Sequence, residues 1–145
     1  MKIPVVRQDP THPLPAFAHA GDAGADLTAS EATMIPSGAW TVVGTGISMA
    51  IPSGHAGFVL PRSGLAARSG VTVLNAPGLV DSGYRGEFRV ALINHGPEDF
   101  EIAVGDRIAQ LVIVAIERPD YAAVESLEDT TRGSGGFGST GVRGD

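Results

Sequence analysis

Apolar side chains recur along much of this chain at every second position. In Phe88-Arg89-Val90-Ala91-Leu92-Ile93, the residues Phe88, Val90 and Leu92 share one face, and Phe100, Ile102 and Val104 repeat the period. An extended backbone sends successive side chains to opposite faces, so this period predicts strands with one buried face. Trp40 to Ile51 predicts a longer β segment, bulged or bent at Gly44 and Gly46, and Gly57 to Leu60 predicts another strand. Ile108 to Val114 is apolar on both faces. A strand of that kind is expected to lie deep, covered on each side by a second sheet or a second subunit. Pro36-Ser37-Gly38, Pro52-Ser53-Gly54 and His95-Gly96-Pro97 punctuate the run as turns. Helical periodicity is confined to Gly64 to Arg68, with Ser63 in the N-cap position. Many short strands separated by turns predict an all-β, jelly-roll-like barrel or sandwich.

Composition sharpens this picture. The 20 glycines and 10 prolines among 145 residues supply the turns that short strands need. From Glu125 onward the apolar pattern stops, so residues 1–124 are expected to form one β domain and 125–145 a flexible, Gly-rich C-terminal arm. Phe137 is the odd residue there, because a solvated segment has little use for an aromatic ring.

Several chemistries are excluded. The chain has no cysteine, which removes disulfides, thiolate zinc sites and cysteine nucleophiles. His12, His19, His55 and His95 are scattered without the i, i+4 spacing of a helical zinc site, and no Gly-x-Ser-x-Gly elbow is present. A net charge of −6 argues against broad nucleic-acid affinity. No run approaches the ~20 apolar residues of a membrane span, and Met1-Lys2-Ile3-Pro4 has no signal-peptide character. The expectation is a cytoplasmic protein with neither nucleic acid nor membrane as partner.

Four segments could carry chemistry. Arg62-Ser63-Gly64 precedes the helical turn and offers backbone N–H groups, a hydroxyl and a guanidinium together, a set suited to phosphate oxygens. Asn75 to Gly86 is a turn-rich stretch that holds Asp81 and Tyr84 between two apolar segments, and Asp22 and Asp26 lie among glycines. Arg132 to Gly141 has the glycine spacing of a phosphate-binding P-loop at Gly133 and Gly138, but Ser139 stands where the lysine belongs. With no strand before it and no helix after it, the Walker fold is ruled out; a hydroxyl-rich, Arg-bearing strip able to wrap an anion remains.

Taken in order, Ala23-Gly24-Ala25-Asp26-Leu27, Pro61-Arg62-Ser63-Gly64-Leu65, Asn75 to Glu87, Gly105-Asp106-Arg107-Ile108-Ala109-Gln110-Leu111 and Arg132 to Gly141 resemble the five motifs of the trimeric dUTPase family. The resemblance implies a jelly-roll subunit of β-clip type in a homotrimer, with each site assembled from several chains and the arm closing over a neighbour's site. It implies hydrolysis of dUTP at the α-phosphate to dUMP and pyrophosphate, which limits uracil incorporation into DNA and supplies dUMP for thymidylate synthesis. Asp81 is then the general base that deprotonates the attacking water. Arg62, Ser63, Gly64 and Gln110 grip the phosphates, and Arg132, Gly138, Ser139 and Thr140 reach the γ-phosphate. Asn75 and the backbone of Gly78, Leu79 and Val80 receive uracil, Tyr84 packs on the sugar and excludes ribose, and Phe137 stacks on the base. Arg89 occupies a position near the substrate, and Asp26 is a supporting residue. Mg2+ is the implied cofactor, held through the triphosphate and waters and not directly by protein ligands.

Two rivals remain in view. A dCTP deaminase of related fold needs a carboxylate within the strand after the hairpin, where this chain has Ala91. A catalytically silent nucleotide sensor would have no need of Asp81 or of the complete arm.

Overall fold

The computed structural model describes residues 1–136. Among them, eleven strands and one helix follow in the order β1 (Val5–Arg7), β2 (Ala25–Thr28), β3 (Thr33–Ile35), β4 (Trp40–Gly44), β5 (Ile47–Met49), β6 (His55–Leu60), α1 (Ser63–Ser69), β7 (Val71–Val73), β8 (Gly78–Val80), β9 (Arg89–Asn94), β10 (Phe100–Ile102) and β11 (Arg107–Ala115). All the pairings are antiparallel. The largest sheet runs β2-β11-β6-β8, the next β4-β9-β7, and two ribbons pair β1 with β5 and β3 with β10. Together they enclose one apolar core in a jelly-roll-like, all-β fold.

The two-residue period is realised in the core. Phe88, Val90 and Leu92 are each almost wholly buried, as are Ile35, Val43, Ile47, Ile102 and Ile108. Asn94 closes the same face of β9 as a buried polar residue, satisfied by donation to the carbonyls of Ile35 and Glu98 and by accepting the Gly96 N–H. A buried amide with its partners in place costs little and fixes the strand's register.

Three local expectations are corrected. Trp40 to Ile51 is two strands, not one, because Gly46 adopts a φ of +64° and turns the chain between β4 and β5, which belong to different sheets. Ser63 is the first helical residue and no cap; Arg62 holds the N-cap position in extended conformation without a side-chain hydrogen bond. Val104 leaves the buried period and is exposed, since the chain turns at Ala103 to Asp106, where Asp106 N–H donates to the Ala103 carbonyl. In β11, Ile108, Ala109 and Leu111 are buried, whereas Val112, Ile113 and Val114 are only partly covered in the single chain.

Candidate active site

The β2-β11-β6 strands align one group of predicted residues side by side. Gln110 of β11 lies opposite Asp26 of β2 on one side and Leu60 of β6 on the other. Two residues beyond Leu60, Arg62 donates Nε to Asp26 Oδ1 at 3.1 Å and Nη1 to the Arg107 carbonyl at 3.2 Å. Arg107 in turn donates Nη1 to Asp26 Oδ2 at 3.2 Å. One carboxylate, its side chain only 10% exposed, thus holds two guanidinium groups, each by a different oxygen. Two positive charges against one negative leave a local excess for an anion.

Backbone geometry completes this group. A Cβ added at Gly24 would lie 3.1 Å from the Cβ of Gln110, so the turn before β2 presses directly on that side chain. Helix α1 starts at Ser63, and the Ser63 and Gly64 N–H groups precede the first N–H that bonds back to the Arg62 carbonyl, that of Leu65. Unpaired N–H groups at a helix start favour negative charge.

The second group is built on β8 and the hairpin that follows it. Gly78 pairs with Val59 of β6, and a Cβ there would come 3.3 Å from the Val59 Cβ and 3.5 Å from Asn75 Nδ2, which brings Asn75 over the start of the strand. Leu79, Val80, Asp81, Tyr84 and Arg89 line one cleft of about 250 Å³, together with Phe88 and others. The Asp81 carbonyl accepts the Tyr84 N–H at 3.1 Å, closing the hairpin turn. The Tyr84 hydroxyl donates to the Glu87 carbonyl at 2.9 Å, and its ring centroid lies 6.0 Å from that of Phe88. Arg89 donates Nη2 to Glu31 Oε1 at 3.4 Å and to the Val42 carbonyl at 3.3 Å, so its guanidinium is engaged at the cleft's edge.

Within one chain these groups stay apart. Asp26, Arg62, Ser63, Gly64 and Gln110 do not line the cleft that holds Asp81. Arg132 is exposed and donates Nε to the Gly135 carbonyl. Phe137, Gly138, Ser139 and Thr140 lie outside the described residues. Asp9, whose carboxyl is held below the ordinary carboxylate range by the backbone N–H and hydroxyl of Thr11, lines a separate polar hollow with His12 and Glu31.

Sequence reasoning missed Arg107, Glu31, Thr45 and Glu87. Arg107 stood inside a quoted motif, yet a register shift between Arg107 and Ala109 breaks the alternation that would have assigned its face. Glu87 closes another quoted motif, but it, Glu31 and Thr45 act on residues distant in sequence, and no local pattern assigns those contacts.

The sequence model of the dUTPase family matches residues 11–141 of this chain. The chain belongs to the dUTPase family. It is 53% identical over 142 residues to a deoxyuridine 5'-triphosphate nucleotidohydrolase of Thermobifida fusca, covering 97% of this chain and 79% of that protein. Among solved structures, a variant of the Staphylococcus bacteriophage 80alpha dUTPase with dUpNHpp superimposes with a TM-score of 0.90 at 27% identity, covering 97% of this chain and 99% of that one. A variant of the dUTPase from phage phi11 of S. aureus, described with a structural Mg(II) ion, has a TM-score of 0.81 at 24% identity over 89% of this chain and all of its own. A dUTPase fold accounts for the antiparallel sheets, the single short helix and the hairpin cleft together.

Proposed function

We propose that this dUTPase-family chain hydrolyses dUTP at the α-phosphate, releasing dUMP and pyrophosphate, and so limits uracil incorporation into DNA while supplying dUMP for thymidylate synthesis. The observation that carries the reading is the hairpin cleft, in which Asp81 and Tyr84 face one space beside the edge strand β8.

An aspartate carboxylate is ionised at neutral pH and accepts a proton from water. In this reading Asp81 takes that proton as the water oxygen attacks the α-phosphorus; the bond from phosphorus to the bridging oxygen breaks, and pyrophosphate leaves. The barrier falls mainly through positioning and charge neutralisation. Arg62, braced by Asp26, the N–H groups and hydroxyl at Ser63 and Gly64, and Gln110 hold the phosphates. Asn75 and the backbone of Gly78, Leu79 and Val80 hydrogen-bond the uracil, for which the outer edge of β8 is suited, because an edge strand presents unpaired N–H and C=O groups. Tyr84 packs on the deoxyribose and leaves no room for a 2′-hydroxyl. Arg89 stays a neighbour of the sugar side, its charge shared with Glu31.

The reading treats residues 1–124 as the β domain and 125–145 as an arm whose Arg132, Gly138, Ser139 and Thr140 close on the γ-phosphate and whose Phe137 stacks on uracil. A homotrimer joins what one chain keeps apart: the hairpin group of one copy meets the phosphate group of another. The partly covered Val112, Ile113 and Val114 of β11 support burial against a second copy.

Magnesium fits the donor set in one way. Asp26 has both oxygens committed to arginines, and among the described residues no three His, Asp or Glu converge as a metal cage. In this reading magnesium, when bound, would be carried on triphosphate oxygens and waters and would neutralise phosphate charge there. No helix among the described residues is long and apolar enough to cross a membrane; the cytoplasm is the proposed location.

The test is to incubate the purified protein with dUTP, dCTP and UTP separately, with magnesium and with chelator, and to identify the products by chromatography. Release of dUMP and pyrophosphate from dUTP alone, only with magnesium, is expected. Formation of dUTP from dCTP would replace the reading with deamination, and tight binding without product would replace it with a silent sensor.

A further inference from the structure

The hairpin that bears Asp81 and Tyr84 is gripped from behind by the corner between β4 and β5. Thr45 donates both its N–H, at 3.2 Å, and its hydroxyl, at 2.5 Å, to the Phe88 carbonyl. Gly46 N–H donates to Glu87 Oε1 at 2.8 Å, and Phe88 N–H donates to the Ile47 carbonyl at 2.8 Å. Two contacts pass from there to Tyr84, its hydroxyl on the Glu87 carbonyl and its ring beside Phe88.

Burial divides this chain of contacts sharply. Thr45 is 1% exposed and Phe88 2%, whereas Tyr84 is 45% exposed. An aromatic side chain that far from the core would ordinarily sample more than one rotamer. Here the bond from the Tyr84 N–H to the Asp81 carbonyl fixes the backbone end and the bond from its hydroxyl to the Glu87 carbonyl fixes the phenol end, which favours one ring orientation.

We infer that Thr45 and Glu87 are positioning residues for sugar selectivity. By holding the Glu87 carbonyl and the Phe88 ring in register with the core, they keep the Tyr84 ring where the 2′-hydroxyl of a ribose would have to sit. The inference rests on the proposed role of Tyr84 in excluding ribose. Thr45 lies outside the cleft and Glu87 borders it, with its carboxylate turned to the Gly46 N–H; each is assigned to act through Tyr84.

The experiment measures kcat/KM for UTP and for dUTP in Glu87→Ala, Glu87→Gln and Thr45→Val, with Tyr84→Ala as reference. In Glu87→Ala the UTP-to-dUTP ratio should rise about tenfold, the scale of one lost hydrogen bond to a charged acceptor. Thr45→Val should raise it less, because the Thr45 N–H still reaches the Phe88 carbonyl. Glu87→Gln, whose amide oxygen accepts the Gly46 N–H, should keep the wild-type ratio. A purely structural role would lower the melting temperature and both substrates alike with the ratio fixed, and would overturn the inference. If Tyr84→Ala raises the ratio while Glu87→Ala and Thr45→Val do not, ribose exclusion by Tyr84 stands and the positioning role falls. If Tyr84→Ala also leaves it fixed, the role of Tyr84 has failed and the inference falls with it. Should Glu87→Ala not fold, Thr45→Val, close in shape and removing one hydroxyl, decides the matter.

Discussion

Around Asp26 the chain concentrates charge, with one buried carboxylate between Arg62 and Arg107. Around Tyr84 it relies on shape, through an edge strand, an aromatic ring and a hairpin bonded back into the core by Thr45 and the Glu87 carboxylate. Charge attracts over several ångströms and tolerates small displacements, whereas discrimination of one hydroxyl requires a wall that does not move. The group proposed to grip phosphate is accordingly braced by side-chain ion pairs, and the proposed sugar wall by contacts to buried backbone. Salt separates the two, because screening weakens the partly exposed arginine group and leaves ring packing nearly unchanged.

The sharpest break in this comparison is expected at Asp81. Asp81→Asn should lower dUTP turnover on the order of 10³-fold while calorimetry still detects nucleotide binding; near-normal turnover would remove the base from the hairpin group. Ending the chain at Thr131 should leave the β domain folded and lower kcat/KM roughly 10²-fold, since the proposed stacking by Phe137 and the arm's proposed phosphate contacts would be lost together. Full activity in that truncated chain would show that the two groups need no third element. Tyr84→Ala should raise UTP use about thirtyfold, a change read from the ratio of the two substrates. Asp26→Asn should weaken triphosphate affinity about tenfold and make it more sensitive to salt, with the UTP-to-dUTP ratio unmoved. A moved ratio would mean that the two groups are mechanically coupled within one chain.

Much of the β architecture was legible because a half-buried strand writes its exposure into every second residue, as Phe88, Val90 and Leu92 show. The break at Gly46 was harder to read, since a glycine in an apolar run is compatible with a bulge and with a change of sheet alike. The Arg107 contact was hidden by the register shift before Ala109, which displaces side chains from the period. The contacts of Thr45 and Glu87 were hidden for a different reason. Their partners lie some forty residues away along the chain, and a hydrogen bond to a distant backbone group leaves no local signature. The candidate site residues were named from the order of five motifs, because each motif alone is also an ordinary turn.

The proposed division of the site between copies of a trimer is most directly tested by mixing two variants, Asp81→Asn, which would spoil the hairpin group, and Arg62→Ala, which would spoil the group proposed for phosphate. Each alone should be nearly inactive. Unfolded together in equal amounts and refolded into random trimers, they should recover about a quarter of wild-type activity, since that share of sites draws an intact hairpin from one copy and an intact phosphate group from another. If the refolded mixture is no more active than the separate variants, with mixed trimers confirmed by mass, the two groups serve one chain's own site and the account is contradicted.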